Sequence, residues 1–197
     1  MTRAELDEHK GLPVVRMPTR AAFARWLGKH HGRDQGVWLQ LGKKNRPVRS
    51  ISYEDARELA ITWGWIDGQI NSLDEDHYLL RFTPRRPRSK WSKINREIAE
   101  RLLAEGLMQP PGLAEVEAAK ADGRWEAAYP GSATITEPED FLAALAAEPA
   151  APEFYATVSR AARFAILIRI HDAKRADTRR RRIAELVAQL GRGETPV

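Results

Sequence analysis

The side chains best suited to chemistry in this chain crowd between positions 63 and 95, WGWIDGQINSLDEDHYLLRFTPRRPRSKWSKIN. Arg85, Arg86 and Arg88 stand almost side by side, followed by Ser89, Trp91, Ser92 and Asn95. Guanidinium groups hold oxyanions through paired N–H donors, and hydroxyls and an amide can orient what the arginines neutralise. The pattern after Asn95 predicts a helix, with Ser92 or Ser89 as its N-cap. An Arg-rich loop would therefore feed a helix N-terminus, where free backbone N–H groups and the helix dipole favour an anion. Upstream, Asp67, Gln69 and Arg81 supply a carboxylate, an amide and a further cation. The candidate ligand-binding set is thus Asp67, Gln69, Arg81, Arg85, Arg86, Ser89, Trp91, Ser92 and Asn95. Against it stands a structural reading, in which the arginines form a solvated surface and the tryptophans fill the core.

A hairpin must position the first three. Ile66, Gly68 and Ile70 alternate with Asp67, Gln69 and Asn71, the period of a half-buried strand. Asp74, Glu75 and Asp76 form a polar break, and Tyr78, Leu80 and Phe82 then share one face of a second strand. A three-residue turn at 74–76 pairs Leu73 with His77, Gln69 with Arg81 and Asp67 with Thr83. Asp67, Gln69 and Arg81 would then lie on one face. Pro84 and Pro87 keep the following loop extended and out of a ladder.

Around this centre, residues 1–18 read as a loose lead-in in which Pro13 and Pro18 discourage helix. A helix is expected over 19–31, a strand over 37–41, and a helix behind Ser52-Tyr53-Glu54-Asp55, which resembles a capping box. His30 and His31 adjoin, but neighbours on a helix point about 100° apart, so they suit a helix end better than a metal. Past the 94 helix come a break at 106–112, a helix over 113–122 and a linker at 127–135. Thr136-Glu137-Pro138-Glu139 looks like a second capping box, and two final helices are expected over 153–173 and 177–190. Arg179 to Arg182 are consecutive and so spread around their helix, which makes a solvated face the default. The fold expected is α+β: a small antiparallel sheet with flanking helices over 1–126, then a helical C-terminal region over 136–197.

The chain has 197 residues, 43% of them hydrophobic, and a formal net charge of +5. That charge favours encounters with acidic partners without specifying one. The absence of cysteine excludes disulfides, thiolate metal sites and cysteine nucleophiles. The N-terminus lacks the apolar core of a secretory signal, and no run reaches membrane-spanning length, so a cytoplasmic location is expected.

At WGWIDG, at PRRPRSKWSKIN and at the C-terminal AKRADTRRRRIAEL the sequence resembles the YdeI/OmpD-associated family, also labelled bacteriocin-protection proteins. The resemblance extends over nearly the whole chain, with the segment from about Phe141 similar to the family's helical region. It implies a link to resistance against cationic antimicrobial peptides and association with an outer-membrane porin. It implies no reaction, cofactor, metal or catalytic residue set.

Three functions fit the residues. The first is binding of a small anion at the Arg-rich loop. The second is nucleic-acid binding, with bases stacking on Trp91 and Phe82. The third is an enzyme with Asp67 as general base and arginines stabilising negative charge. No nucleophile elbow, phosphate loop or metal-ligand spacing supports the third, and an Asp67–Arg81 salt bridge is the simpler expectation.

Overall fold

The computed structural model describes residues 7–33 and 35–196. The chain divides into two compact units, Met1–Ala128 and Tyr129–Val197.

In the first unit, a five-stranded sheet has the order β1-β2-β3-β5-β4. Strand β1 (Glu8–His9) and β2 (Leu12–Arg16) form a hairpin where a loose lead-in was expected. The two residues between them, Lys10 (φ 50°) and Gly11 (φ 74°), both take positive φ, the signature of the turn whose twist suits a two-residue hairpin. Pro13 is tolerated because Val14 N–H already donates to Asp7 O at 2.9 Å. The missing donor of Pro13 therefore falls on the other edge, ahead of Val14, the first residue paired with β3.

Helix α1 (Arg20–His30) follows, its first turn capped by the Thr19 hydroxyl, and leads into β3 (Val37–Gly42). Strand β2 runs parallel to β3, so the sheet is mixed rather than wholly antiparallel. Helix α2 (Tyr53–Thr62) starts where the capping pattern places it: Ser52 Oγ accepts from Asp55 N–H at 3.1 Å. Strands β4 (Trp65–Ser72) and β5 (His77–Pro84) form the expected hairpin.

Beyond the loop at 85–92, α3 (Lys93–Ala104) and α4 (Pro110–Ala121) pack beside α2. Helix α4 begins within the segment expected to be a break, because a proline in the first turn lacks only a donor the helix would leave unsatisfied.

Strand alternation gives the sheet two unlike faces. Val37, Leu39, Leu41, Leu80 and Phe82 pack on Phe23 and Leu27 of α1 and Ala56, Leu59 and Ala60 of α2. The opposite face carries only a small apolar cluster, Val14, Trp38 and Leu79, edged by Leu12 and Leu73. A separate cluster beneath α3 and α4 joins Trp91, Ala99, Leu102, Val116 and Trp125.

The second unit is helical: α5 (Glu139–Ala147), α6 (Ala151–Thr157), α7 (Arg160–His171) and α8 (Ala176–Gly191). Its core joins Phe141, Leu145, Tyr155, Ile166, Ile170, Leu186 and Leu190. Two expectations fail here. Helix α5 is entered from Pro138 with no side-chain cap, so Thr136 caps nothing. The helix expected over 153–173 is two helices, because Val158 and Ser159 are extended and the Ser159 hydroxyl caps α7 by accepting from Ala162 N–H at 3.3 Å. Among the described residues, no helix is long and apolar enough to cross a membrane.

Candidate functional site: a cationic cleft on the open face of the sheet

The hairpin decides which polar residues meet. At its tip the expected register holds: Ile70 pairs with Leu80, Asn71 with Leu79 and Ser72 with Tyr78. Asp74 closes the turn, its Oδ1 accepting from the N–H groups of Asp76 (2.9 Å) and His77 (2.7 Å). Between Asp67 and Ile70, however, the register shifts. Gly68 and Gln69 together oppose Arg81, a bulge that moves Asp67 from Thr83 to Phe82.

Paired residues share a face, so Asp67 turns to the helix side with Phe82. There it accepts a hydrogen bond from the Tyr53 hydroxyl at 2.9 Å. Burial first, and then the charge of Asp67, push the Tyr53 hydroxyl up to about 12. The expected Asp67–Arg81 contact is absent for this reason. Gln69 and Arg81 stay together on the open face.

The helix N-terminus expected to hold the anion is closed by its own chain. Ser92 Oγ accepts from Asn95 N–H at 3.1 Å, and Asn95 is 7% exposed. Ser89 Oγ accepts from Arg86 N–H at 2.9 Å, and Arg124 donates to Ser89 O at 2.7 Å. Trp91 is 1% exposed and packs edge-on to Trp125, with ring centroids 4.9 Å apart. The Arg85 guanidinium lies 3.6 Å from the centre of the Trp91 ring and donates to Lys90 O at 3.1 Å. Ser89, Trp91, Ser92 and Asn95 thus make contacts within the loop and the adjoining helices and do not line the cleft described next. Trp91 and Phe82 are both buried and offer no surface on which a base could stack.

A different cavity, of about 680 Å³, opens on the sheet face away from α1 and α2. Gln69, Arg81, Arg85 and Arg86 line it, bringing together four of the residues singled out in the sequence. Three further groups complete it: Lys10 to Leu12 at the first hairpin, His31 to Arg33 with Gln35 and Gly36 after α1, and Trp38 of β3. Gly36 permits this convergence. A β-carbon there would lie 2.2 Å from Phe82 O and 2.5 Å from the Thr83 side chain, so only glycine lets the α1–β3 connection run against β5.

The described residues that line the cleft carry charge of one sign. Lys10, Arg33, Arg81, Arg85 and Arg86 line it, and no described lining residue is an aspartate or glutamate. Trp38 and Arg81 are directly paired across β3 and β5, so they stand side by side on the cleft floor. Trp38 is 1% exposed, yet its indole N–H has no acceptor among the described residues, and neither has the buried Nε–H of Arg81. The Lys10 ammonium lies 6.0 Å from the Trp38 ring centre and 3.5 Å from Asn71 Oδ1, reaching from the first hairpin towards the second. His31 uses its Nδ1–H on Leu27 O (3.2 Å), and His30 uses its own on Trp26 O (2.7 Å), which fixes both rings to the end of α1. No group of His, Asp or Glu side chains suited to a metal occurs among the described residues.

Lys10, Arg33 and Trp38 are the cleft residues that sequence reasoning missed. The one local clue was Lys10-Gly11, a glycine-containing pair between short strands.

A five-stranded mixed sheet with helices on one face and a cationic cleft on the other defines an α+β architecture. Residues 15–115, just over half of the chain, match the family described as Domain of unknown function (DUF8412), and the chain belongs to that family. Residues 134–193 match the family described as Bacteriocin-protection, YdeI or OmpD-Associated. The resemblance read from the sequence is therefore carried by the C-terminal part. WGWIDG and PRRPRSKWSKIN lie instead in the stretch matched by the domain of unknown function. No curated protein and no solved structure matches the chain.

Proposed function

We propose that the chain is a binding protein whose first unit takes a small anionic ligand in the cleft between Lys10, Arg33, Arg81 and Arg86. The observation that carries this reading is the coincidence of these four cationic side chains with buried donors that have no described acceptor, Trp38 Nε1–H and Arg81 Nε–H, and no described carboxylate in the lining. A buried donor without a partner is costly, and like charges gathered in one concavity repel. An anion relieves the repulsion. The cavity volume also lies within the range of roughly 300–1,000 Å³ common to small-ligand sites. The C-terminal match supports a setting for this binding, in bacteriocin protection.

The test is thermal unfolding against phosphate, acetate and a short oligonucleotide, each at low and high salt. A small anion that binds only the native state should add about 2.7 kcal/mol at 100 times its dissociation constant. The stabilisation should persist in high salt and vanish in Arg81→Gln. Stabilisation by the oligonucleotide alone, lost with salt, would transfer the reading to nucleic acid. No shift with any ligand would remove the site.

A further inference from the structure

Resting on the anion-site reading, we infer that the cleft is built for two linked anionic groups, a diphosphate, rather than for a single oxyanion. Its donors fall into two tiers. The floor holds Arg81 and Trp38, adjacent on neighbouring strands, with their unpartnered N–H groups. The rim holds Lys10, Arg33 and Arg86, which come from three separate connections: the β1–β2 turn, the α1–β3 segment and the loop after β5.

One oxyanion on the floor can engage the Arg81 guanidinium, but it leaves the rim cations facing each other. A phosphate monoester carries about −1.5 to −2 near neutrality, and a second linked group brings roughly as much again. Only the latter approaches the four positive charges of the two tiers, Arg81 on the floor and Lys10, Arg33 and Arg86 on the rim. Volume points the same way, since a lone phosphate would leave most of about 680 Å³ to water.

The segments that bear the rim are also held in place. Lys10 sits in a hairpin turn with its ammonium within reach of Asn71 Oδ1, and the Arg86 backbone is fixed by Ser89 Oγ. Gly36 sets the α1–β3 segment against β5. Two tiers of pre-positioned donors discriminate by the number and spacing of anionic groups. Diffuse positive charge attracts by total charge alone.

Isothermal titration calorimetry at fixed ionic strength tests this with inorganic pyrophosphate and inorganic phosphate. A nucleoside diphosphate and a short-chain alkyl diphosphate serve as two arms that identify the carrier. Pyrophosphate should bind at least tenfold more tightly than phosphate in 0.15 M salt. Arg86→Gln, an exposed rim change, should weaken pyrophosphate at least tenfold more than it weakens phosphate and so erase most of that preference. Arg81→Gln should weaken both ligands, with near-UV circular dichroism confirming the fold.

Tighter binding of one diphosphate carrier than of pyrophosphate supports the inference and names the ligand's other half. Equal binding of phosphate and pyrophosphate overturns the two-tier site but leaves the anion site standing. A preference abolished by doubling the salt also overturns it, since that is attraction by charge alone. Binding of neither anion removes both readings.

Discussion

Two arginine-rich stretches of similar composition meet opposite fates in this molecule. In α8, four consecutive arginines are dispersed among local partners. Arg179 grips Asp140 with two hydrogen bonds of 2.6 and 2.8 Å, Arg180 pairs with Asp177, Arg181 approaches Glu185 at 3.7 Å, and Arg182 donates to Arg169 O at 2.5 Å. Around the cleft, cations from well-separated parts of the first unit converge on one concavity that no described carboxylate enters. Charge density along a sequence therefore says little about a site. A helix scatters successive side chains by about 100°, whereas a sheet with several loops at one end collects residues that are far apart in the chain.

The comparison is broken most severely at Arg85, which belongs to neither type. It is 5% exposed and stacked on Trp91, while burial pushes the nearby Glu115 carboxyl up and Arg85 and Arg124 pull it down. Arg85→Ala should therefore destabilise the fold by about 2–4 kcal/mol through lost packing, read as a lowered urea midpoint. A neutral result would return Arg85 to the solvated class of Arg180.

Arg81→Gln should do the reverse. The thermal midpoint should hold or rise slightly at low salt, because one member of a repelling group is gone. Anion affinity should fall at least tenfold, or about 1.4 kcal/mol. A large loss of stability would make Arg81 structural and dissolve the contrast.

Tyr53→Phe addresses the residue that left the cleft. Removing the hydroxyl that holds Asp67 should cost about 1 kcal/mol. Because the folded protein raises the Tyr53 pKa from 10.0 to about 12, the associated stability is fully present below pH 10 and fades as pH rises towards 12. Alkaline unfolding should show that fade in the wild type and lack it in the variant.

The smallest effects belong to α8. Arg179→Ala should cost about 0.5–1 kcal/mol, since its pair with Asp140 is partly exposed, and Arg180→Ala nothing measurable. The hydrogen bonds from Arg179 hold the Asp140 carboxyl below the ordinary aspartate value of 3.8. Their contribution is present above that value and lost as pH falls below it. The urea midpoints of wild type and Arg179→Ala should converge in acid, and a gap that stays constant with pH would deny the pair its role.

What the sequence made legible was local. Ser52 and Ser92 announce their helices because a cap bonds to a backbone N–H three residues away. Asp74–Asp76 announces the turn for a similar reason. Most of the elements of the first unit followed from such signals. What escaped depends on distant pairing. Strands β1 and β2 are too short and proline-marked to display alternation, and Val14 pairs in the sheet with Trp38 of β3, more than twenty residues later. The bulge at Gly68-Gln69 leaves no mark in the alternation of β4, yet it decides that Asp67 serves Tyr53 and not the cleft. The break between α6 and α7 was hidden because a serine between apolar stretches reads equally as mid-helix or cap.

That bulge also sets how the gene for this hairpin can change length. Strand β4 carries one codon more than a regular ladder to β5 requires. Deleting Gly68 would leave Gln69 opposite Arg81 and preserve every pair on either side, from Trp65 with Pro84 to Ser72 with Tyr78. Inserting a residue elsewhere in the strand would instead turn the side chains beyond it to the opposite face, exchanging core for cleft. The hairpin is tolerant of shortening at one point and intolerant of lengthening around it, because Gly68 is the one residue of β4 that no position in the ladder requires.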